Sequence, residues 1–362
     1  MADDTTQSNA SAKGERSRVQ VAGYFLMLWL LFFLICFGLG YPTLNRYDPR
    51  ATGGLSDTAK YYAMSTGGDQ SAFREVFRRR ILVPAVARPF YWFASRFPGT
   101  WDPGFFALLV ANSLFCATTV CFIVSLGTRL FNDPAIALLG ATLYLLSFAV
   151  PNLLLAGLVD AGEACFMAML IWALLNGRWL LLPLLGIVGA LAKETFVPFA
   201  CVFAISWWLI EEKRDETRWA RRHRHQLMWT AAMGVVGLAT VMLVYSQVAE
   251  RFAWPWDIAL EARADVNYFM AVARAISQPN FWYVFGWLIP LGVWRLRLFP
   301  KPWVVASVTT ATTALLLGAF IDAGGSIGRS VFNISGPLMS LSVAVLISRP
   351  SQGFLTETLR KS

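Results

Sequence analysis

The sequence predicts an all-α, polytopic membrane protein, and two observations lead to that prediction. Hydrophobic residues make up 56% of the 362-residue chain and charged residues only 15%, with a mean hydropathy of +0.52. This balance is typical of a chain whose main solvent is lipid. The apolar runs are continuous rather than alternating, and a hydrocarbon core of about 30 Å needs about 20 apolar residues per crossing helix. We therefore expect membrane-spanning helices.

Ten apolar segments are candidate membrane spans, and the fifth and sixth are short. They cover residues 21–41, 104–127, 134–150, 161–176, 179–192, 195–210, 227–248, 281–294, 303–320 and 331–348. Together they predict one membrane domain over residues 21–348. Residues 1–20 are polar, which predicts a disordered tail, and no small-residue cleavage site follows the first span cleanly. That span is therefore expected to stay as an anchor.

The positive charges of the short loops predict the orientation, because Lys and Arg prefer the cytoplasm there. An N-terminus inside places most of these residues on one side: Lys13, Arg16, Arg18, Arg129, Arg178, the run Lys213 to Arg224, Arg295, Arg297, Lys301, Arg349, Arg360 and Lys361. With ten spans, the tail 349–362 is also expected to lie in the cytoplasm. The expected location of the protein is the plasma (inner) membrane. The exception is the first outer loop, 42–103, which holds nine Lys or Arg residues. Loops of that length translocate largely regardless of charge.

The net charge of +9 does not predict a nucleic-acid partner. The cytoplasmic basic loop, 211–226, mixes both signs of charge and interleaves no repeated aromatic residues. Such a loop is typical of a topogenic segment that contacts membrane lipids. The cysteines are odd in number and all lie in apolar segments, as expected of small core residues. They are Cys36, Cys116, Cys121, Cys165 and Cys201.

The predicted outer face contains no histidine, because His223 and His225 both fall in the cytoplasmic loop. Ser-His-Asp hydrolysis, His-based acyl transfer and His-ligated zinc hydrolysis each need an imidazole near the site. Outer-face chemistry would therefore depend on carboxylates, Lys, Tyr and Arg. Asp57, in the first outer loop just after the first span, is a prominent carboxylate of this kind.

Four ionisable residues are predicted to lie near or inside the outer half of the bilayer. A helix from Arg178 to Lys193 rises only about 22 Å, so Lys193 and Glu194 fall below the lipid surface. They would line a wet cavity or pair with Asp160 or Glu163. Charges at that depth are functional by default, although a structural ion pair is the alternative. Asp160 also fits an N-cap, with Glu163 completing a capping box.

The segment 73–90 is rich in arginine and in apolar residues, which predicts a helix lying in the headgroup plane. Its arginines are Arg74, Arg78, Arg79, Arg80 and Arg88. Arginine binds phosphate bidentately, and simple anchoring to anionic headgroups is the alternative. A second outer helix, about 256–277 within the outer loop 249–280, would cover the cavity from above.

Several short motifs resemble the GT-C superfamily, the multi-span glycosyltransferases that use polyprenyl-phosphate-linked sugars. The motifs are Ser-Asp-x-x-x-Tyr-Tyr around Asp57, Arg80-Ile-Leu-Val-Pro84, Leu158-Val-Asp160, Ala192-Lys-Glu-Thr195, and Gly328-Arg-Ser-Val-Phe-Asn-Ile-Ser-Gly-Pro337. The resemblance covers residues 20–348.

The resemblance implies transfer of a sugar from a lipid-linked donor to an acceptor, whose identity stays open, at the extracytoplasmic face. Asp57 would act as general base or metal-coordinating group, with Asp160 and Glu194 as further catalytic candidates. A divalent metal is a possible cofactor, and no other cofactor is implied. The candidate substrate-binding residues are Tyr61, Arg78, Arg79, Arg80, Arg88, Lys193 and Arg329.

Two other classes fit the same composition. A transporter or a lipid-linked-glycan flippase would use buried charges as a substrate or proton pathway, but the two halves of the chain show no internal repeat. A non-catalytic scaffold of a membrane complex is the other alternative. Release of a polyprenyl phosphate would separate the transferase from both.

Overall fold

The computed structural model describes residues 23–42, 57–71, 73, 75–97, 99, 101–211, 216–252, 254, 257, 267–322 and 327–348. Within these residues the fold is all-helical, without a strand. The α-helices are α1 Gly23–Pro42, α2 Thr58–Thr66, α3 Glu75–Arg78, α4 Leu82–Ala94, α5 Pro103–Phe131, α6 Pro134–Leu145, α7 Asp160–Leu175, α8 Leu182–Ala192, α9 Phe196–Ile210, α10 Glu216–Ala249, α11 Tyr268–Ser277, α12 Pro279–Val293, α13 Lys301–Asp322 and α14 Ile327–Ser348.

Each of the ten predicted apolar segments coincides with a helix, namely α1, α5 to α10 and α12 to α14. Among the described residues, four helical stretches are long and apolar enough to cross a membrane: Gly23–Pro42, Pro103–Phe131, His223–Ala249 and Gly328–Ser348. Three shorter apolar helices cover Pro134–Leu145, Trp179–Ala192 and Phe196–Ile210. The apolar helices indicate a membrane-embedded protein, whereas the crossing of all ten stays a prediction.

Helix α10 begins at Glu216 rather than near residue 227, so most of the segment predicted as the basic loop 211–226 is helical. Its sequence explains the difference, because Glu, Arg, Gln and Ala are good helix formers and extending an existing helix is cheaper than starting one. Helix α6 ends earlier than predicted, at Leu145, and a π-helical turn follows at Val150–Leu154.

Helix α7 lies at the centre of the bundle, where it packs against α5, α8, α9 and α14. Nearly all its residues are buried, as expected of a helix that is apolar on every side. Small residues allow the surrounding helices to approach closely: a Cβ on Gly140 of α6 would come within 2.6 Å of Leu341 Cδ2 on α14. On the periphery, Trp29 Nε1 of α1 donates a hydrogen bond to Thr118 Oγ1 of α5 at 3.0 Å.

The predicted surface helix over 73–90 is two short helices, α3 and α4, with a break at Arg79–Ile81. Helix α2 packs on α4 and α5. Of the predicted helix over 256–277, the structure describes the part from Tyr268 to Ser277 as α11, and residues 258–266 lie outside the described residues.

The start of α2 is attached to the connection that precedes α7. Thr58 Oγ1 donates to the carbonyl of Ala156 at 3.0 Å, and Gly157 has a φ of +78°. A Cβ on Gly157 would meet Thr58 Cγ2 at 2.6 Å, so glycine is required both for the backbone conformation and for the contact. This contact places the start of α2 next to the first turn of α7.

Candidate functional site

Six charged residues from four segments of the chain meet in one group inside the bundle. They come from the break between α3 and α4, the start of α7, the connection between α8 and α9, and the start of α14, with α2 alongside. We call the six the charge cluster: Arg80, Asp160, Glu163, Lys193, Glu194 and Arg329. Every member has at least one oppositely charged partner. Three cations therefore balance three carboxylates.

Lys193 is the centre of the inner part of the cluster. Its Nζ donates to Asp160 Oδ1 at 2.8 Å and to Glu163 Oε2 at 3.0 Å. Asn333 Nδ2 also donates to Glu163 Oε2, at 2.9 Å, and Thr195 Oγ1 donates to the other carboxylate oxygen. The side chains of Lys193, Asp160 and Glu163 are only 5%, 4% and 1% exposed. This confirms the expected pairing of Lys193 across the bundle.

The interruption between α8 and α9 turns Lys193 inward. Helix α8 ends at Ala192, Lys193 has an extended backbone (φ −162°, ψ +132°), and α9 begins at Phe196. The short length of α8 is the sequence signal that predicted charges below the lipid surface. The structure buries Lys193 among protein atoms, and its depth in the bilayer stays a prediction.

The capping-box alternative for Asp160 is wrong. Val159 is the N-cap of α7 and Asp160 is the first helical residue. The Asp160 carboxylate binds Lys193 and Arg329 instead, and that of Glu163 binds Lys193, Thr195 and Asn333. Buried cations attract these carboxylates more strongly than neutral backbone N–H groups do.

The outer part of the cluster is less buried. Arg80 binds Glu194 bidentately, with Nε to Oε2 at 3.0 Å and Nη2 to Oε1 at 2.6 Å, and its Nη1 donates to Tyr61 Oη at 2.9 Å. Arg329 Nη1 donates to Asp160 Oδ2 at 3.0 Å. The side chains of Arg80, Glu194 and Arg329 are 15%, 16% and 19% exposed. Exposure thus falls from this rim to the Lys193 centre.

Tyr61 joins α2 to this rim. Burial raises the pKa of its phenol to about 12, while the nearby Arg80 charge acts in the opposite direction. The phenol therefore keeps its proton at neutral pH. Since Oη accepts a hydrogen bond from Arg80, its own O–H group can donate to another acceptor at the rim.

Asp57 lies at the N-cap of α2, yet its side chain makes no capping hydrogen bond. By contrast, Asp102 and Asp133 each accept backbone N–H groups at the start of α5 and α6. Asp57 Oδ1 instead accepts from Lys60 Nζ at 2.7 Å, and both side chains are 26% exposed. Lys60 Nζ in turn lies 3.4 Å from the centre of the Phe77 ring, and the Arg80 guanidinium carbon lies 5.6 Å from the same ring centre. The carboxylate is therefore next to the rim and is not required for capping.

The arginines of segment 73–90 do not form one array. Among the described residues of that segment, Arg80 alone binds a carboxylate of the cluster. Arg79 is buried, with its guanidinium carbon 3.9 Å from the centre of the Tyr245 ring on α10. Arg88 is exposed and donates to the Met64 carbonyl at 3.2 Å, and Arg78 is half-buried at the end of α3. Arg74 lies outside the described residues.

Sequence reasoning missed three residues around the cluster. Asn333 is one helical turn after Arg329 in the same motif, a spacing that could have indicated it. Lys60 and Phe77 had no such signal. Lys60 Nζ lies 3.4 Å from the centre of the Phe77 ring and the Arg80 guanidinium carbon lies 5.6 Å from it, contacts that only the folded structure brings together.

The part of the chain that the structure describes has no group of three His, Cys, Asp or Glu residues placed to hold a metal ion. Each carboxylate of the cluster already binds a cationic side chain. A divalent cation there would be repelled by Arg80, Lys193 and Arg329. The described residues of the cluster therefore do not fit a metal ion.

Comparison with known proteins gives no family. No protein-family model matches the chain, and no curated protein matches it either.

Proposed function

We propose that this protein is a membrane glycosyltransferase of the GT-C type, which moves a sugar from a polyprenyl-phosphate donor to an acceptor at the extracytoplasmic face. One observation carries the proposal. A carboxylate that is not used for capping, Asp57, lies next to the rim of the charge cluster, which holds the two arginines Arg80 and Arg329. A base and a phosphate-binding pair are the two functions that such a transfer needs.

In the proposed reaction, an acceptor hydroxyl oxygen attacks the anomeric carbon of the donor sugar. A new C–O bond forms, and the bond between that carbon and the phosphate oxygen breaks, with its electron pair leaving on the phosphate. Asp57 takes the acceptor proton, and Arg80 and Arg329 stabilise the charge that develops on the leaving phosphate. The Tyr61 hydroxyl can donate to a phosphate oxygen as well.

Asp57 is the best base among the three predicted catalytic carboxylates. Asp160 accepts from both Lys193 and Arg329 and is only 4% exposed. Glu194 is held by two hydrogen bonds from Arg80. A carboxylate engaged in this way has little capacity to take a proton, because its cationic partners stabilise the ionised form. Asp57 has a single described partner, Lys60, and is more exposed.

The orientation predicted from the loops is part of the proposal, with ten spans and both termini in the cytoplasm. Cysteines introduced at Lys60 and Arg88 should react with an impermeant maleimide in intact cells, because both positions belong to the first outer loop. A cysteine at Arg221 should react only after the membrane is permeabilised. Labelling of position 221 in intact cells would overturn the orientation and the outer-face site.

In this proposal Arg80 and Arg329 hold one phosphate between them, and we call this pair the phosphate clamp. The donor affinity of single variants tests it. Arg80→Ala and Arg329→Ala should each weaken binding of the polyprenyl-phosphate sugar by roughly 10- to 150-fold, since a charge-assisted hydrogen bond contributes about 1.5–3 kcal/mol. Arg→Lys should rescue only partly, because it keeps the charge but loses the bidentate geometry. Arg96→Ala is the matched control: Arg96 is an exposed arginine of the outer loop that stacks on Trp92. Wild-type affinity in both alanine variants would show that the clamp does not exist.

A transporter is the second candidate, favoured by one observation. Lys193, Asp160 and Glu163 are almost fully buried at an interruption between two helices, an arrangement also used for coupling ions in transporters. Reconstitution into proteoliposomes separates the two candidates. Flux of a lipid-linked sugar that persists without any glycosyl transfer would favour the transporter.

A further inference from the structure

We infer that Glu194 occupies the phosphate position on Arg80 in the ligand-free protein, and that a phosphoryl anion must displace it. Glu194 would then act as an internal competitor of the substrate rather than as a base. The inference rests on the proposed function for the identity of the anion, the phosphate of a polyprenyl-linked substrate. Until the anion displaces it, Glu194 blocks the phosphate-binding groups of Arg80.

The first argument is the charge balance. Arg80, Lys193 and Arg329 are matched by Asp160, Glu163 and Glu194, and each pair is in direct contact. A phosphate that entered this group would add negative charge to a poorly hydrated place that is already neutral. Uncompensated charge there is strongly unfavourable. Phosphate binding at Arg80 therefore requires one carboxylate to leave its cation.

Glu194 is the carboxylate that can leave. Asp160 binds Lys193 and Arg329, and Glu163 binds Lys193, Thr195 and Asn333, with 4% and 1% exposure. Among the described residues, the side-chain hydrogen bonds to Glu194 all come from Arg80, and Glu194 is 16% exposed. Its position in the connection between α8 and α9 allows its side chain to move without unwinding either helix.

The geometry of the contact is the second argument. The Nε and Nη2 groups of Arg80 bind the two oxygens of Glu194, which is the arrangement that a guanidinium makes with two phosphate oxygens. Nη1 is held by Tyr61 Oη at 2.9 Å, so the guanidinium keeps its orientation when Glu194 leaves. The Tyr61 O–H group would then face the incoming phosphate.

The experiment measures the affinity of the purified full-length protein in nanodiscs for farnesyl phosphate and, separately, for inorganic phosphate. Glu194→Gln should bind farnesyl phosphate roughly tenfold more tightly than wild type, or better, because the amide cannot compete as an anion for Arg80. Glu194→Ala should also bind farnesyl phosphate more tightly than wild type. Glu75→Gln, which removes an equal charge from the neighbouring helix α3, should leave the affinity unchanged.

The affinities of the Glu194 variants decide whether phosphate displaces Glu194 from Arg80. Unchanged or weaker binding in both Glu194 variants, with thermal stability retained, would overturn it, whether or not the wild type transfers sugar. Tighter binding that disappears in Arg80→Ala/Glu194→Gln would support it. A gain for inorganic phosphate as well would identify the bare anion as the recognised group, and a gain for farnesyl phosphate alone would identify the lipid phosphate. Sugar transfer is assayed separately, so its absence would reject the proposed function without rejecting the anion exchange at Arg80.

Discussion

Replacing Asp57 by Asn is expected to lower sugar transfer by about 10²- to 10⁴-fold, the usual effect of removing a positioned general base. The change keeps the shape of the side chain, and Asp57 makes no capping hydrogen bond to α2. Only an ion pair with Lys60 is lost, and exposed pairs of this kind contribute at most about 1 kcal/mol. The protein should therefore stay folded and inserted while the rate falls.

The measurement is the release of polyprenyl phosphate by the purified variant, compared with Asp69→Asn. Asp69 is a matched control because it is an exposed aspartate in the same connection between α1 and α5, where it accepts hydrogen bonds from Ser71. Activity of Asp57→Asn within about threefold of wild type, well under that loss, would move the base to Glu194 or Asp160. Equal losses in both aspartate variants would indicate a general effect of outer-loop charge.

Hydropathy was enough to place the ten apolar helices, because a continuous apolar run in a chain of this composition predicts a helix. The burial of Lys193 agrees with its place after a short apolar stretch, whereas its depth in the membrane stays a prediction. These are local properties of the chain. The ends of the helices were less predictable. Helix α10 starts at Glu216 because charged residues that favour helix extend it beyond its apolar part.

The partners of the arginines could not be predicted, because they depend on contacts between distant parts of the chain. Arg79 and Arg80 are neighbours with the same chemistry, yet one packs on Tyr245 and the other binds Glu194, 114 positions away. A break between two short helices turns them in different directions. Sequence composition describes both as phosphate ligands or lipid anchors, and only the folded structure separates them.

The same limit explains the failed interpretation of Asp160. An acidic residue followed three positions later by glutamate fits a capping box, and nothing local argues against it. What decides the position of the carboxylate is Lys193, 33 positions away. Leaving a buried cation without a carboxylate partner costs more free energy than leaving a helix end without a side-chain cap. Local signals therefore fail where buried charges meet.

Replacing Lys193 by Met is expected to destabilise the protein by about 3–5 kcal/mol, because it removes one partner of a buried charge pair. Asp160 would keep Arg329. Glu163, only 1% exposed, would keep the uncharged donors Thr195 and Asn333 and lose its cation. Its charge would then be uncompensated in the middle of the bundle. The measurement is the free energy of unfolding in mixed micelles, with the exposed Lys301→Met as control, where a change within about 0.5 kcal/mol is expected.

A second substitution tests the cause. Glu163→Gln should also destabilise the protein on its own, since it weakens the interaction with Lys193. In the double variant Lys193→Met/Glu163→Gln no unpaired charge remains, and the protein should be more stable than with Lys193→Met alone. A double variant whose loss of stability equals the sum of the two single losses would contradict this cause, because the two side chains would then act independently. Lys193 would then stabilise the bundle mainly through Asp160, and Asp160→Asn in the same background would be the substitution that restores stability.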